Sequence, residues 1–212
     1  MTGIRARLVG LVIGVTLVAA VTACGGDDSG SAKAPARPWG DSALPTGQVV
    51  TQGPARFTLS DGVQFVEAPS ETPAPGTTVR RWTFAGQGQL PTCVVLLNVQ
   101  SGYTGDFPAG PQQVFDARVK VQGGTVLTNE PRPGPGGAKA GLLQHETSPH
   151  LGKNQDTTGS TWTTSFVTDK GSYVQLAASA AQDDESRCQI ESIAKSLEWT
   201  GDEAPSSGAS SA

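Results

Sequence analysis

The sequence has 212 residues, of which 15 are Lys or Arg and 19 are Asp or Glu, so the formal net charge is −4. This length leaves room for one ordinary domain with disordered ends, and the basic residues form no cluster of the kind that neutralises nucleic-acid phosphates, which argues against nucleic acid as a partner. A P-loop, a dinucleotide fingerprint and a Gly-x-Ser-x-Gly elbow are all absent from the sequence, so we predict no catalytic residues and no cofactor.

The first 24 residues have the layout of an export signal. Arg5 and Arg7 precede an uncharged apolar run, Leu8–Val21, which is the order found in secretory signal peptides. The run ends in Val21-Thr22-Ala23-Cys24, which resembles the lipobox of bacterial lipoproteins. That resemblance implies that lipid is attached to the Cys24 sulfur and that residues 1–23 are removed as a signal peptide.

Two other interpretations of this segment stay open. It could be an uncleaved membrane helix, or an ordinary signal peptide with a chance cysteine. A spanning helix needs about 20 apolar residues, whereas this run is shorter and continues into Gly25-Gly26-Asp27-Asp28. We therefore expect the protein to be anchored through Cys24 to the cell membrane, on its extracytoplasmic face.

The sequence contains three cysteines. If Cys24 carries lipid, Cys93 and Cys188 remain as a pair in a compartment that permits disulfides. A disulfide closing so long a loop would stabilise the fold by about 4 to 5 kcal/mol in the chain-entropy model. The alternative is two unrelated buried thiols.

Composition divides the mature chain into three parts. Residues 24–53 are predicted to form a lipidated N-terminus and a disordered tether, because they are rich in Gly, Ser, Ala and Pro and cannot bury enough apolar surface to fold alone. Trp39 does not suit a bare tether and either folds back onto the domain or is incidental. Residues 54–200 are expected to be the globular domain, and residues 201–212 a disordered tail.

Alternation of apolar and polar residues predicts strands in the first half of the domain. They are a short hairpin or bent strand at Phe57–Phe65, a strand at Thr77–Ala85 and a strand at Cys93–Val99. The last is almost continuously apolar, which is typical of a strand covered on both faces, so we expect it at the centre of the sheet. A helix from Pro111 to Gln122 follows, ended by two glycines.

The second half is predicted to contain more strands and a closing helix. Thr125–Thr128 and Ala138–Glu146 are predicted strands, separated by a proline-rich loop at Pro131–Gly137. The turn Asp169-Lys170-Gly171 indicates a hairpin between Gly159–Thr168 and Ser172–Ala178. The closing helix carries apolar residues near helical spacing, namely Cys188, Ile190, Ile193, Ala194 and Leu197.

This order of elements resembles the PsbP/Mog1-like domain of small actinobacterial lipoproteins. The residues that carry the resemblance are the strand-turn entry at Phe57–Phe65 and the closing stretch Ile193–Trp199. It would extend over about Ala55 to Thr200, and it implies an α+β fold with an antiparallel β-sheet flanked by helices, an α/β/α sandwich. It also implies accessory or binding roles, such as photosystem assembly or regulation of a small GTPase, and supplies no catalytic residue.

Two polar clusters contain residue types that bind metals. His145 and His150 are five residues apart, not four as in zinc proteases, and Pro149 argues against one helix presenting both. Asp183, Asp184 and Glu185 could bind calcium, but capping of the closing helix by Asp183 or Asp184 explains them more simply. We therefore predict no metal site.

The remaining candidate surface for a ligand or partner is the loop that carries Tyr103 and Phe107. Exposed aromatic side chains on Gly-rich loops suit recognition, although both rings could instead pin the loop to the core. The leading hypothesis is a lipid-anchored, extracytoplasmic, non-catalytic binding or accessory module of the cell envelope, with an envelope protein or a lipid as partner. A carrier of a lipid or other apolar ligand is the alternative, and an envelope hydrolase with an unrecognised site is a weaker one.

Overall fold

A seven-stranded antiparallel sheet is the main element of the computed structural model, which describes residues 38–40, 42–84, 92–138, 140–149 and 157–201. With a second, three-stranded sheet and three α-helices it makes a mixed α+β fold, as predicted for the fold class. The predicted signal peptide, Cys24, His150 and the tail after residue 201 lie outside the described residues, so the statements about them stay predictions.

The strands and helices have the following bounds. The strands are β1 (Val49–Gln52), β2 (Ala55–Thr58), β3 (Val66–Glu67), β4 (Thr77–Phe84), β5 (Cys93–Gln100), β6 (Thr125–Arg132), β7 (Ala140–Ser148), β8 (Gly159–Val167), β9 (Tyr173–Ala181) and β10 (Glu198–Trp199). The helices are α1 (Ala109–Val121), α2 (Glu185–Cys188) and α3 (Ile190–Lys195), with short 3₁₀ turns at Pro135–Gly137 and Gln182–Asp184.

The large sheet has the strand order β3-β4-β5-β9-β8-β7-β6, and the small sheet has the order β1-β2-β10. The predicted hairpin between β8 and β9 is confirmed, and Gly171 in its turn has a φ of 78°. β5 is an interior strand beside the central strand β9, so its predicted position at the centre is nearly right. The prediction that both of its faces are covered is wrong, because Leu96 is 36% exposed.

The two faces of the large sheet differ in composition and cover. One face, here called the core face, carries the largest buried side chains and packs against β2, α2 and α3. Hydrogen bonds join the layers: Thr164 Oγ1 donates to the Ala194 carbonyl at 2.7 Å, and the Thr58 N–H donates to Ser196 Oγ at 2.9 Å. The opposite face, here called the second face, is more polar and is covered in part by α1.

Cys93 on β5 and Cys188 on α2 form the predicted pair. Their Cα atoms are 6.2 Å apart, within the range of a disulfide, and the two residues are separated by 95 positions in the sequence. Both side chains are completely buried on the core face. The bond therefore ties an interior strand of the sheet to the closing helical segment.

The fold begins earlier than predicted. Trp39 is 1% exposed in the core, and its indole N–H donates to the Leu197 carbonyl at 2.8 Å. A Cβ at position 141 would lie 2.8 Å from the indole, so Gly141 leaves the space that the ring occupies. Strand β1 also precedes residue 53. The predicted tether up to residue 53 is thus too long, because the burial of one tryptophan and the pairing of β1 with β2 order this segment.

Several predicted element ends are also wrong. Helix α1 begins at Ala109, which makes Pro111 its third residue and not its first. β6 continues through Pro131 to Arg132, and an edge strand tolerates a proline because its outward N–H needs no partner in the ladder. The closing helix is broken at Gln189, whose φ is 52°.

Capping by the acidic pair is not observed. Asp184 occupies the position before α2 but makes no side-chain capping hydrogen bond, and Asp183 lies in the preceding 3₁₀ turn. Both carboxylates still lie at the N-terminal end of a helix, where negative charge is favoured. Within the described residues, none of the helices has the length and apolar character needed to cross a membrane.

Candidate binding cleft

A cleft of about 410 Å³ lies on the second face of the large sheet, between α1 and the loop that connects β5 to α1. This volume is within the range of ordinary ligand sites. Its floor comes from β7, β8 and β9, and its walls come from the loop and from α1. The lining residues are Tyr103, Gly105, Asp106, Gly110, Pro111, Val114, Phe115, Arg118, Gln144, Thr163, Tyr173 and Gln175.

The floor of the cleft is polar although it is part of a sheet. Gln144 on β7 pairs in register with Thr163 on β8, and both are almost fully buried. Because side chains alternate between the faces of a strand, Gln175 on β9 points to the same face. These carboxamide and hydroxyl groups offer both hydrogen-bond donors and acceptors to a ligand.

Asn129 on the edge strand β6 fixes α1 above this floor. Its side-chain amide donates to the Gln112 carbonyl at 3.2 Å and to Asp116 Oδ1 at 2.8 Å. Its own Oδ1 accepts a hydrogen bond from Gln144 Nε2 at 3.0 Å, and Gln112 Nε2 donates to the Asn129 carbonyl at 3.0 Å. The wall and the floor of the cleft are therefore held together by one side chain.

The aromatic wall is built around Tyr173. The Tyr103 ring stacks on it with centroids 5.1 Å apart, and the Phe107 ring meets it edge-on at 6.2 Å. The Tyr103 N–H donates to the Gly171 carbonyl at 2.8 Å, which joins the loop to the β8–β9 turn. A Cβ at position 105 would lie 2.4 Å from the Tyr103 hydroxyl oxygen, so a side chain there would require the ring to move.

Both tyrosines keep their protons at neutral pH. Burial raises the pKa of Tyr173 to about 12. Partial burial, and then the negative charge of Asp106, raise the pKa of Tyr103 as well. The phenol groups can therefore donate hydrogen bonds, but they do not act as bases at neutral pH.

Arg118 projects from α1 over the far end of the floor. Its Nη1 is 2.8 Å from Glu146 Oε1 and 3.1 Å from Gln122 Oε1, and its guanidinium lies over the Phe115 ring at 5.3 Å. The Glu146 side chain is 4% exposed, whereas that of Arg118 is 43% exposed. The buried carboxylate therefore positions an arginine whose outer edge is accessible from the cleft.

The second face also has unpaired polar atoms. Glu146 Oε2 and Asn98 Oδ1 are buried, and neither has a hydrogen-bond partner among the described residues. Both side chains belong to the second face by register. A buried acceptor without a partner costs about 1 to 3 kcal/mol, so a ligand or ordered water that supplies a donor here would be favoured.

The predicted site residues are only partly brought together. Tyr103 lines the cleft, whereas Phe107 packs on Tyr173 outside the set of lining residues. The packing of both rings on Tyr173 agrees with the alternative that they fix the loop. Cys93 and Cys188 lie on the opposite face of the sheet, in the core.

His145 lies on the core face of the large sheet, where its ring stacks on Trp162 with centroids 3.9 Å apart. No group of three or more His, Cys, Asp or Glu side chains in the described part of the chain is arranged to hold a metal ion.

Sequence reasoning missed the floor and the arginine. Gln175 lies between Val174 and Leu176 and so has the pattern of a solvent-facing position on a strand, and Gln144 and Thr163 each have an apolar residue on one side and a polar residue on the other. Arg118 is one of several charged residues on a helix whose buried positions are only Phe115 and Val119. No local pattern marks these residues, because they come together only through the strand order.

No known protein family matches this sequence, and no curated protein matches it either.

Proposed function

We propose that the protein is a lipid-anchored, extracytoplasmic binding module of the cell envelope that acts without catalysis. The observation that carries this proposal is the cleft on the second face, where an aromatic wall, a carboxamide floor and a positioned arginine converge. Such a combination of apolar surface and a few convergent polar groups is typical of a binding site.

The chemistry of the cleft favours binding over catalysis. Its two tyrosines are protonated at neutral pH, and Arg118 is fixed by a buried carboxylate. A hydrolase would need a nucleophile activated by an adjacent base, whereas the lining residues include one carboxylate, Asp106, and no serine, cysteine or histidine.

We also propose that the fold is of the PsbP/Mog1-like kind. The support is the antiparallel sheet with helical cover on both faces, α1 on one and α2 with α3 on the other. The family implies binding and accessory roles, which agrees with the proposed function.

The anchoring part of the proposal depends on Cys24. Metabolic labelling of the full-length protein with a clickable fatty acid should mark the wild type and not the Cys24→Ala variant. The disulfide pair Cys93–Cys188 supports an oxidising compartment. Label that survives the substitution would refute lipidation at this residue.

The binding part can be tested in cells. A photoreactive amino acid placed at Val114, on the rim of the cleft, should crosslink to an envelope protein. The same amino acid at Val49 is the control, because Val114 and Val49 are 68% and 47% exposed and Val49 lies on β1 in the small sheet, away from the second face. Equal capture from both positions, or none from Val114, would contradict a binding role for the cleft.

The same experiment distinguishes a carrier of an apolar ligand from a module that binds a protein. Pro111, Val114 and Phe115 give the cleft one apolar wall, which is the feature that favours an apolar ligand. Crosslinking of Val114 to lipid in place of protein, together with lipid that copurifies with the protein, would favour the carrier.

A further inference from the structure

Half of the second face is only partly covered by the described residues. In β5 the residues Cys93, Val95 and Leu97 are buried on the core face, whereas the alternate residues are partly exposed or exposed. β9 shows the same alternation between buried core-face residues and partly exposed second-face residues at positions 174–180. We call the second-face side chains of β4, β5 and β9 the open face.

The open face has an uncharged centre. One row of neighbouring residues crosses the strands in the order Arg81 (β4), Leu96 (β5), Ala177 (β9), Thr163 (β8) and Gln144 (β7). Strands are about 4.8 Å apart, so the distance from Arg81 to Thr163 is about 14 Å. This width accommodates one additional α-helix, which is about 10 Å in diameter.

Helix α1 offers an apolar side to such a neighbour. Val114 and Val121 lie on the same side of the helix, because seven residues make almost two full turns. They are 68% and 88% exposed, and Val114 is the one that borders the cleft. Leu96 on β5 is also 36% exposed, so exposed apolar side chains lie both on the helix and on the open face of the sheet. A protein segment can contact both, whereas a small molecule in the cleft would contact only Val114 of these three residues.

Two arginines with accessible side chains stand at the borders of this surface, and Asp106 of the loop before α1 is an acidic residue that lines the cleft. Arg81 stands at one border and Arg118 at the other, with side chains 48% and 43% exposed. The partner of Arg81 is Glu71 at 3.8 Å, which is itself largely exposed, so the pair is weak. The second-face residues of β5 and β9 carry no charge. Acidic groups on an occupant would therefore meet both arginines.

The segments of this chain outside the described residues do not fit such a surface. Residues 202–212 include Asp202 and Glu203 but only Ala, Pro, Ser and Gly besides them, and residues 25–37 add Lys33 and Arg37 to a similar composition. The internal segments 85–91 and 150–156 each contain a single leucine and so cannot supply an apolar stripe. The apolar run Leu8–Val21 is preceded by arginines, which have the same sign as the borders. A partner protein is therefore the better occupant.

We propose that the open face binds an amphipathic α-helix of a partner protein, with its apolar side on Leu96, Ala177 and Val114 and with acidic residues beside Arg81 and Arg118. This inference rests on the proposed function and specifies the partner of the same face of the sheet. The helix would lie next to α1 and complete the second layer of the sandwich, at the usual interaxial distance of about 8 to 10 Å.

The test uses a designed helical peptide of about 18 residues with a leucine stripe at i, i+3, i+4 and i+7 and with glutamates on both sides of it. Fluorescence anisotropy would measure its binding to the full-length protein held in phosphatidylcholine nanodiscs, after subtraction of empty nanodiscs. We expect the glutamate peptide to bind at least about tenfold more tightly than the same peptide with lysines. Equal binding of the two peptides would overturn the proposal.

Variants locate the binding surface. Val114→Asp should weaken binding of the glutamate peptide at least about tenfold, whereas Val49→Asp, at an exposed valine of β1 in the small sheet, should leave it unchanged. Arg81→Gln should weaken binding and reduce its dependence on salt. Equal effects of Val114→Asp and Val49→Asp would refute the location.

Two further outcomes separate this inference from the proposed function. If a protein is crosslinked to Val114 in cells but the glutamate peptide does not bind, the proposal of an acidic helix as the partner is refuted and the binding role remains intact. Binding of the protein to phosphatidylglycerol vesicles that Val114→Asp abolishes would overturn the inference in favour of a surface that contacts lipid.

Discussion

The indole of Trp39 makes both an apolar and a polar contribution to the fold. It fills the space left by Gly141, and its N–H satisfies the carbonyl of Leu197 at the end of α3. Trp39→Ala removes both, so the free energy of unfolding should fall by about 3 to 5 kcal/mol. Urea unfolding would measure the change. Leu44→Ala, at a residue 38% exposed in the same segment, is the control and should cost less than about 1 kcal/mol; equal losses would contradict the role assigned to Trp39.

His145 should make stability depend on pH. Burial lowers its pKa; Glu185 and Glu191 act to raise it, and Lys195 lowers it further. The folded-state pKa therefore lies below the ordinary value of about 6.5, and the unfolded chain binds more protons between the two values. The contribution to stability is complete above about pH 6.5 and is lost as the pH falls from there through the folded-state pKa.

The measurement compares the free energy of unfolding of the wild type and of His145→Gln at several pH values from neutral to mildly acidic. The wild type should lose more stability than the variant as the pH falls through this range. If the two curves were parallel, the titration of His145 would not be coupled to folding. The pKa of Glu191 lies below the ordinary value for a glutamate. Burial acts to raise it, but the hydrogen bond and charge of Lys195 outweigh this effect.

At the scale of elements, α1 depends on one side chain of the neighbouring strand. Asn129 connects α1 to Gln144, so Asn129→Ala leaves the almost fully buried amide of Gln144 without its partner, at a cost of about 1 to 3 kcal/mol. Hydrogen–deuterium exchange of α1 amides should speed up relative to those of α3. Glu130→Ala is the control, because the exposed Glu130 pairs with Arg132 on the same strand. Unchanged protection of α1 in Asn129→Ala would show that other contacts hold the helix.

Elements marked by local chemistry were predictable, and those defined by distant partners were not. The β8–β9 hairpin follows from Gly171, which adopts a backbone conformation that favours glycine. β1 has no such mark, because Val49–Gln52 is ordered by pairing with β2. The break at Gln189 also has no local signal, since the residue type gives no reason for its positive φ.

At the scale of the whole molecule, the disulfide is the longest covalent constraint in the described residues. Cys93→Ala combined with Cys188→Ala should lower the free energy of unfolding by about 4 to 5 kcal/mol in the chain-entropy model. Urea unfolding with and without reductant would measure it. Reductant should destabilise the wild type and have no effect on the double variant; a wild type that is insensitive to complete reduction would contradict the prediction.

The pairing of Cys93 with Cys188 could be predicted because simple counting left two cysteines. The cleft could not be predicted from the sequence, although the candidate residue Tyr103 lines one of its walls. Its floor combines Gln144, Thr163 and Gln175 from three consecutive strands, but its walls come from α1 and the loop before it, which follow β5 in the chain and reach this floor because the strand order places β9 next to β5. That order is a property of the whole sheet, which a pattern read along the chain does not contain.

The position of Trp39 has a mechanical consequence for a chain held by its N-terminus. Tension transmitted from that end would reach a side chain locked in the interior before it reached the short strand β1. Strand β1 would then be shielded from being peeled off its neighbour, and the load would be shared among the close-packed groups around the indole.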